Sequence, residues 1–204
     1  MRRGLLATRT AAQRAIAEGQ VLVSGVAEPK AATLVEESSP ITLVESGPRW
    51  ASRGALKLLG ALDAFGVEVG GRRCLDAGAS TGGFTDVLLA RGAAAVSAVD
   101  VGYGQMDWRL RTDPRVSVFD RTNIRLAEPA ALGAPFDLVV ADLSFISLGL
   151  AAPHLAACGR PGTEYVVLVK PQFEVGRGRV GRGGLVTDPA LHRSALEGVA
   201  TAFA

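Results

Sequence analysis

Cysteine and histidine are scarce, with two of each in 204 residues. Cys74 and Cys158 make no disulfide framework, and with His154 and His192 they fall at no usual metal-ligand spacing. The expectation is no metal and a reducing compartment. Residues 1–20 contain no apolar segment of the kind that opens a secretory signal. The longest uncharged stretch, residues 143–159, is broken by Pro153 and several polar residues. A membrane span needs about 20 mostly apolar residues. Charge of one sign is lacking too: 22 Lys+Arg against 20 Asp+Glu leave a net charge of +2. That excludes a polycation, so any nucleic-acid contact must come from local clusters. What is plentiful is apolar sequence, at 48% of residues, enough to exclude disorder and to fill a core without cross-links. The reading is a cytoplasmic protein with one medium domain and a small appendage.

The basic clusters sit near the two ends. Arg2, Arg3, Arg9 and Arg14 precede the first acidic residue, Glu18. Late in the chain Lys170, Arg177, Arg179, Arg182 and Arg193 face only Glu174 and Asp188. Between the ends, Thr8 is placed to cap a helix running to about Glu18, with Gly19 as its stop. Residues 21–23 and 41–44 read as strands, with a turn at Ser24-Gly25. Composition shifts over 46–51, which reads as a linker. Beyond it Ser52 is placed to cap a helix ending at Gly66, with Leu58, Leu62 and Phe65 as its apolar stripe and Lys57 on another face. Strand patterns at 73–77, 95–100, 116–119, 136–141 and 165–169 then alternate with helical patterns at 84–91, 105–111 and, more weakly, 148–157. A last helix starts at Pro189, capped by Thr187 or Asp188. Such alternation predicts an α/β fold with a parallel, doubly wound, Rossmann-like sheet.

The sharpest motif is Asp76-Ala77-Gly78-Ala79-Ser80-Thr81-Gly82-Gly83-Phe84, a strand end turning into a helix through small residues. Small residues admit a ligand close to the backbone. The dinucleotide fingerprint is the nearest confusable pattern, but its middle glycine position holds Ser80 and an acid stands at the loop entrance. An acid repels a phosphate and favours a cationic amino-acid moiety, so the loop points to S-adenosylmethionine rather than a nicotinamide dinucleotide. Asp100, at the next strand end, is placed to accept from ribose hydroxyls, and Asp120, after the third, to hold an adenine amino group. Asp142 ends the fourth strand and Lys170 follows the fifth, where four apolar residues deliver a partly desolvated lysine. The signatures of exocyclic-amine and base-carbon methyltransferases are both absent. The loop Gly176–Gly184 carries Arg177, Arg179 and Arg182, which suit a phosphate backbone.

Taken together, Ser52-Arg53-Gly54-Ala55-Leu56-Lys57-Leu58, the 76–84 loop, Asp100-Val101-Gly102-Tyr103-Gly104-Gln105, Ala141-Asp142-Leu143-Ser144-Phe145 and Val169-Lys170-Pro171-Gln172-Phe173-Glu174 resemble the TlyA family. These are ribosomal RNA 2′-O-methyltransferases, often labelled hemolysins, with an FtsJ-like catalytic domain. The resemblance implies S-adenosylmethionine bound by Asp76, Gly78, Ser80, Gly82, Phe84, Asp100 and Asp120. It implies cytidine riboses of ribosomal RNA as acceptors, contacted through Arg2, Arg3, Arg9, Arg14, Arg49, Arg177, Arg179 and Arg182. It implies a Lys-Asp-Lys-Glu tetrad, matched by Lys57, Asp142 and Lys170, whose glutamate lies on a later strand than Glu174. Residues 1–45 resemble a partial S4-like RNA-binding domain, 46–51 its linker, and 52–204 the methyltransferase domain without its last strands. On that reading the chain is expected to be incomplete at both ends and inactive by itself, with an exposed edge at the fifth strand. Two other functions compete: an RNA-binding protein that keeps the fold without catalysis, and a membrane-lytic hemolysin.

Overall fold

The computed structural model describes residues 4–17, 20–27, 30–36, 38–43 and 50–203. The chain divides into two compact units, residues 1–49 and 50–204. In the first, α1 (Arg9–Ala17) begins where the Thr8 hydroxyl accepts from the Ala11 N–H at 3.1 Å, as a helix cap should. β1 (Val21–Val23) pairs antiparallel with β2 (Val26–Ala27) across the Ser24-Gly25 turn and with β3 (Ile41–Leu43) on its other side. β2 is too short to show a period in the sequence. Glu18, Gly19 and Val44 lie outside the described residues.

The second unit opens with Trp50 and Ala51 packed against its core, then α2 (Ala55–Phe65). Here the expected stripe needs correction. Leu58 and Leu62 are buried, but Phe65 is 74% exposed, and Leu59 packs on the core instead. Phe65 is the last residue of the helix, beside the left-handed cap at Gly66, and the chain turns away before its face is covered. β4 (Arg73–Ala77), α3 (Gly83–Ala90), β5 (Ala95–Val99), α4 (Trp108–Arg111) and β6 (Val116–Phe119) follow, then β7 (Leu138–Ala141), α5 (Leu148–Ala157), β8 (Glu164–Val167), α6 (Pro171–Glu174) and α7 (Pro189–Phe203). The expected 105–111 helix is a single turn that starts only after Asp107, whose side chain accepts from the Arg109 N–H. Asp188 caps α7 through the Ala190 N–H at 2.8 Å.

All five strands of this unit are parallel, in the order β6-β5-β4-β7-β8. Strand side chains alternate between faces, so one sheet splits the core in two. Cys74, Val96, Leu138 and Val140 face α2 and α3, whereas Leu75, Ala77, Val139 and Ala141 face α5 and α7. Burial pushes the Cys74 thiol up to about 12, leaving it inert. The order reverses between β4 and β7. In-register pairing of Ala77 with both Val99 and Ala141 aligns the ends of β4, β5 and β7. A crevice outside β4 is where such sheets bind ligands.

Leu62→Ala should cost about 2–5 kcal/mol by leaving a cavity in the helix-facing core. Phe65→Ala, at an exposed position, should stay within about 0.5 kcal/mol of the parent. Urea unfolding of the two variants measures both.

Candidate active site at the sheet edge

The loop after β4 crosses the crevice. Gly78 adopts φ 86°, and a Cβ there would stand 2.7 Å from the Asp142 carbonyl oxygen. This glycine therefore lets the ends of β4 and β7 close on each other. Gly82, at φ 94°, starts α3, and a Cβ on it would strike the Leu110 side chain. Its absence of a side chain serves packing against α4, while Phe84 is buried in the core. Four of the loop N–H groups are already engaged. Gly78 and Ala79 donate to the Val99 carbonyl, Gly82 to Ala79, and Ser80 to Asp100 Oδ2 at 2.8 Å. Donors committed in this way do not form a phosphate cradle.

Acids gather around the same loop. Asp100 Oδ1 accepts from Gly102 N–H at 2.7 Å, so its carboxylate braces both flanking turns. An ionised carboxylate offers about four lone-pair positions, which leaves capacity for ligand hydroxyls. Asp76 is fully buried beneath the loop. Its Oδ2 accepts from the Thr85 hydroxyl at 2.7 Å, and its Oδ1 has no hydrogen-bond partner. Burial, reinforced by the Asp142 and Asp100 charges, pushes Asp76 up to about 7. An orphaned buried oxygen among acids fits a ligand that brings positive charge. A cleft of about 680 Å³ lies over this region, lined among others by Gly78, Asp100, Gln105, Asn123, Asp142 and Ser144.

Asp120 is placed differently from its expected role at an adenine ring. Arg111 reaches its Oδ2 at 2.6 Å and holds the carboxyl below the usual range. The cleft is lined there by Thr122, Asn123 and Ile124. Sequence spacing could not separate Asp120 from these neighbours two to four residues on, because the chain turns between them.

A second cleft, about 330 Å³, meets the first at Gly78, Ser80, Asp142 and Ser144. Lys57 and Lys170 line it, and both reach Asp142. Lys57 Nζ donates to Oδ2 at 3.2 Å, and Lys170 Nζ lies 2.6 Å from Oδ1 in an ion pair without good hydrogen-bond alignment. The Lys57 side chain is 51% exposed and that of Lys170 only 16%. Lys57 is carried here by the entry to α2, where Ser52 Oγ accepts from the Gly54 N–H and sits where a Gly83 side chain would be. Glu174 is committed elsewhere. It accepts from Ser147 Oγ and from Leu148 N–H, both at 2.7 Å, and so caps α5 from outside. Sequence reasoning missed that cap, as it missed Asp86. Asp86 takes both Arg109 guanidinium nitrogens and the Ala51 N–H.

Of the expected RNA-facing arginines, Arg9, Arg179 and Arg182 are exposed. Arg2, Arg3 and Arg49 lie outside the described residues, as do the side chains of Arg14 and Arg177.

Residues 50–204 match the family model of the FtsJ-like methyltransferases, so the parallel sheet is that of a methyltransferase. Over 201 residues the chain is 55% identical to the 16S/23S rRNA (cytidine-2′-O)-methyltransferase TlyA of Mycobacterium tuberculosis, covering 98% of this chain and 75% of that protein. It is 37% identical over 194 residues to Hemolysin A of Brachyspira hyodysenteriae, covering 95% and 80%. A solved structure of a hemolysin-named protein from Streptococcus thermophilus matches with TM-score 0.76 at 40% identity, covering 99% and 74%. The chain belongs to the TlyA family of FtsJ-like methyltransferases. Among the described residues no helix is long and apolar enough to cross a membrane.

Because Asp76 is raised in the fold, the native state binds an extra proton between its ordinary range and about 7. Its contribution to stability is full below pH 4 and is lost as pH rises through 7. Asp76→Asn should therefore gain stability relative to the parent at pH 8 compared with pH 5. Denaturant melts at the two pH values check the difference.

Proposed function

We propose that this protein transfers a methyl group from S-adenosylmethionine to the 2′-oxygen of a cytidine ribose in ribosomal RNA. The observation that carries the reading is the pair of ammonium groups held on the two oxygens of Asp142, beside the glycine loop. When bound, S-adenosylmethionine supplies an electrophilic methyl carbon on a cationic sulfur. Asp76, Asp142 and the Gly78 backbone would receive its charged end, and Asp100 its ribose hydroxyls. The acceptor hydroxyl is a poor nucleophile because it holds its proton tightly. Lys170, the less exposed lysine, faces it and stabilises the negative charge that develops on the oxygen as its proton passes to water in the open cleft and the methyl carbon's bond to sulfur breaks. Lys57 neutralises charge from the open side, and Asp142 sets the spacing of the two ammoniums. Most of the acceleration comes from aligning oxygen and methyl carbon. The relatives' names support the ribosomal RNA acceptor, and the shared ancestry supports a cytoplasmic setting.

In this reading residues 1–45 form an S4-like RNA-binding domain, 46–51 a linker, and 52–204 the catalytic domain. Arg2, Arg3, Arg9, Arg14 and Arg49 contact the RNA backbone, as do Arg177, Arg179 and Arg182 in the loop before α7.

Lys170→Ala should abolish methylation of ribosomal subunits by labelled S-adenosylmethionine while leaving cofactor affinity within a few fold. Asp100→Ala should weaken that affinity in calorimetry, since it removes both a ribose acceptor and the loop brace. Undiminished methylation by the lysine variant, or tighter binding of a nicotinamide dinucleotide than of S-adenosylmethionine, sinks the proposal. Replacing Arg2, Arg3, Arg9 and Arg14 by alanine should flatten the salt dependence of RNA binding by about one unit of slope for each phosphate no longer neutralised. Filter binding across a salt series reads the slope.

A further inference from the structure

We infer that Ser144 is a positioning residue for the methyl transfer, which aims the ammonium of Lys170 at the acceptor oxygen. The inference rests on the reading of Lys170 as the group that faces the ribose hydroxyl.

An ammonium has three N–H donors and no acceptor. Lys170 Nζ donates to Ser144 Oγ at 2.6 Å and lies at the same distance from Asp142 Oδ1. The Ser144 bond takes one N–H direction, the ion pair with Asp142 holds the charge in place, and among the described residues no other protein acceptor is bonded to the ammonium. With one N–H fixed on Ser144, the ammonium is turned toward the cleft that Lys170 lines. Asp142 alone does not achieve this. A single ion pair without hydrogen-bond alignment leaves a four-carbon side chain free to swing about the carboxylate, and Lys57 competes for the same group.

The hydroxyl itself is held firmly. Ser144 lies two residues past Asp142, in a loop joined to Lys170 and α6 at three points. Ser144 meets Lys170, the Phe145 ring packs on Phe173 at 5.7 Å between centroids, and Ser147 donates to Glu174. Phe145, between Ser144 and the Ser147 contact, takes φ 66°, an unusual conformation for a bulky residue. Ser144 also lines both clefts, at the seam where a methyl group would pass between them. Having accepted from Lys170, its own proton has no acceptor among the described residues and is left for the cleft.

The test compares Ser144→Ala, Ser144→Thr and Lys170→Ala in the full-length protein. Removing a hydrogen bond to a charged group should lower kcat in Ser144→Ala by about ten- to a hundredfold. KM for the RNA and S-adenosylmethionine affinity should stay within about twofold, and Ser144→Thr should restore kcat to within a few fold. Proton–nitrogen NMR of lysine ammonium groups reads the same contact without turnover. One resonance, assigned by its loss in Lys170→Ala, should persist in the parent and Ser144→Thr and broaden away in Ser144→Ala. An unchanged kcat or a retained ammonium resonance in a folded Ser144→Ala overturns the inference. Should Lys170→Ala itself keep methylating, the reading of Lys170 fails, and the inference with it. An inactive Lys170→Ala beside a fully active Ser144→Ala sinks the inference alone.

Discussion

At the C-terminal end of β7 one carboxylate carries an ammonium group on each of its oxygens, Lys57 at Oδ2 and Lys170 at Oδ1. Two ammoniums so close repel each other unless an anion lies between them. Asp142 supplies it, and the sheet supplies Asp142. Parallel pairing of β7 with β4 on one side and β8 on the other ends the strands in step. The residues just past each strand then crowd one edge. The close approach of Gly78 to the Asp142 backbone belongs to the same constraint. A side chain at Gly78 would push Asp142 away before it met any ligand, so the glycine governs the lysine pair as well as the ligand cleft.

The electrostatics of the loop complement that arrangement. Asp100 and Asp142 bring negative charge to the ends of two strands beside the buried Asp76 carboxyl, while the Gly78, Ala79, Ser80 and Gly82 N–H groups are used internally. Such an edge disfavours a pyrophosphate and favours a cation. The two lysines lie on the far side of Asp142, toward the smaller cleft. Positive charge therefore faces the smaller cleft and negative charge the larger one, a polarity that supports the proposed transfer of a methyl group from a cationic sulfur to an oxygen that gains charge.

The alternation of strands and helices was legible because each repeats a simple period, and the strand ends fell within about two residues of their expected places. The functional loop was legible because small residues between a strand and a helix are costly unless something approaches them. Other features were not. Phe65 fits the α2 stripe by spacing but lies at its last turn, where nothing covers it. Asp120 stands at an expected distance along the chain, yet Arg111 claims it. Glu174, four residues after Lys170, caps α5 from another element.

Residue types and their spacing by themselves determined the parallel sheet, the acid-bearing glycine loop, and the presence of Lys57, Asp142 and Lys170 at element ends. All of these follow from local periodicity and from the resemblance that the motifs carry. Only the tertiary structure decided which oxygen of Asp142 each lysine takes, that Lys170 is the less exposed of the two, and that Ser144 shares its ammonium. Those facts depend on strand order and on loops meeting across the sheet edge, and no local pattern in the chain encodes which distant side chain will fill a carboxylate's second lone pair.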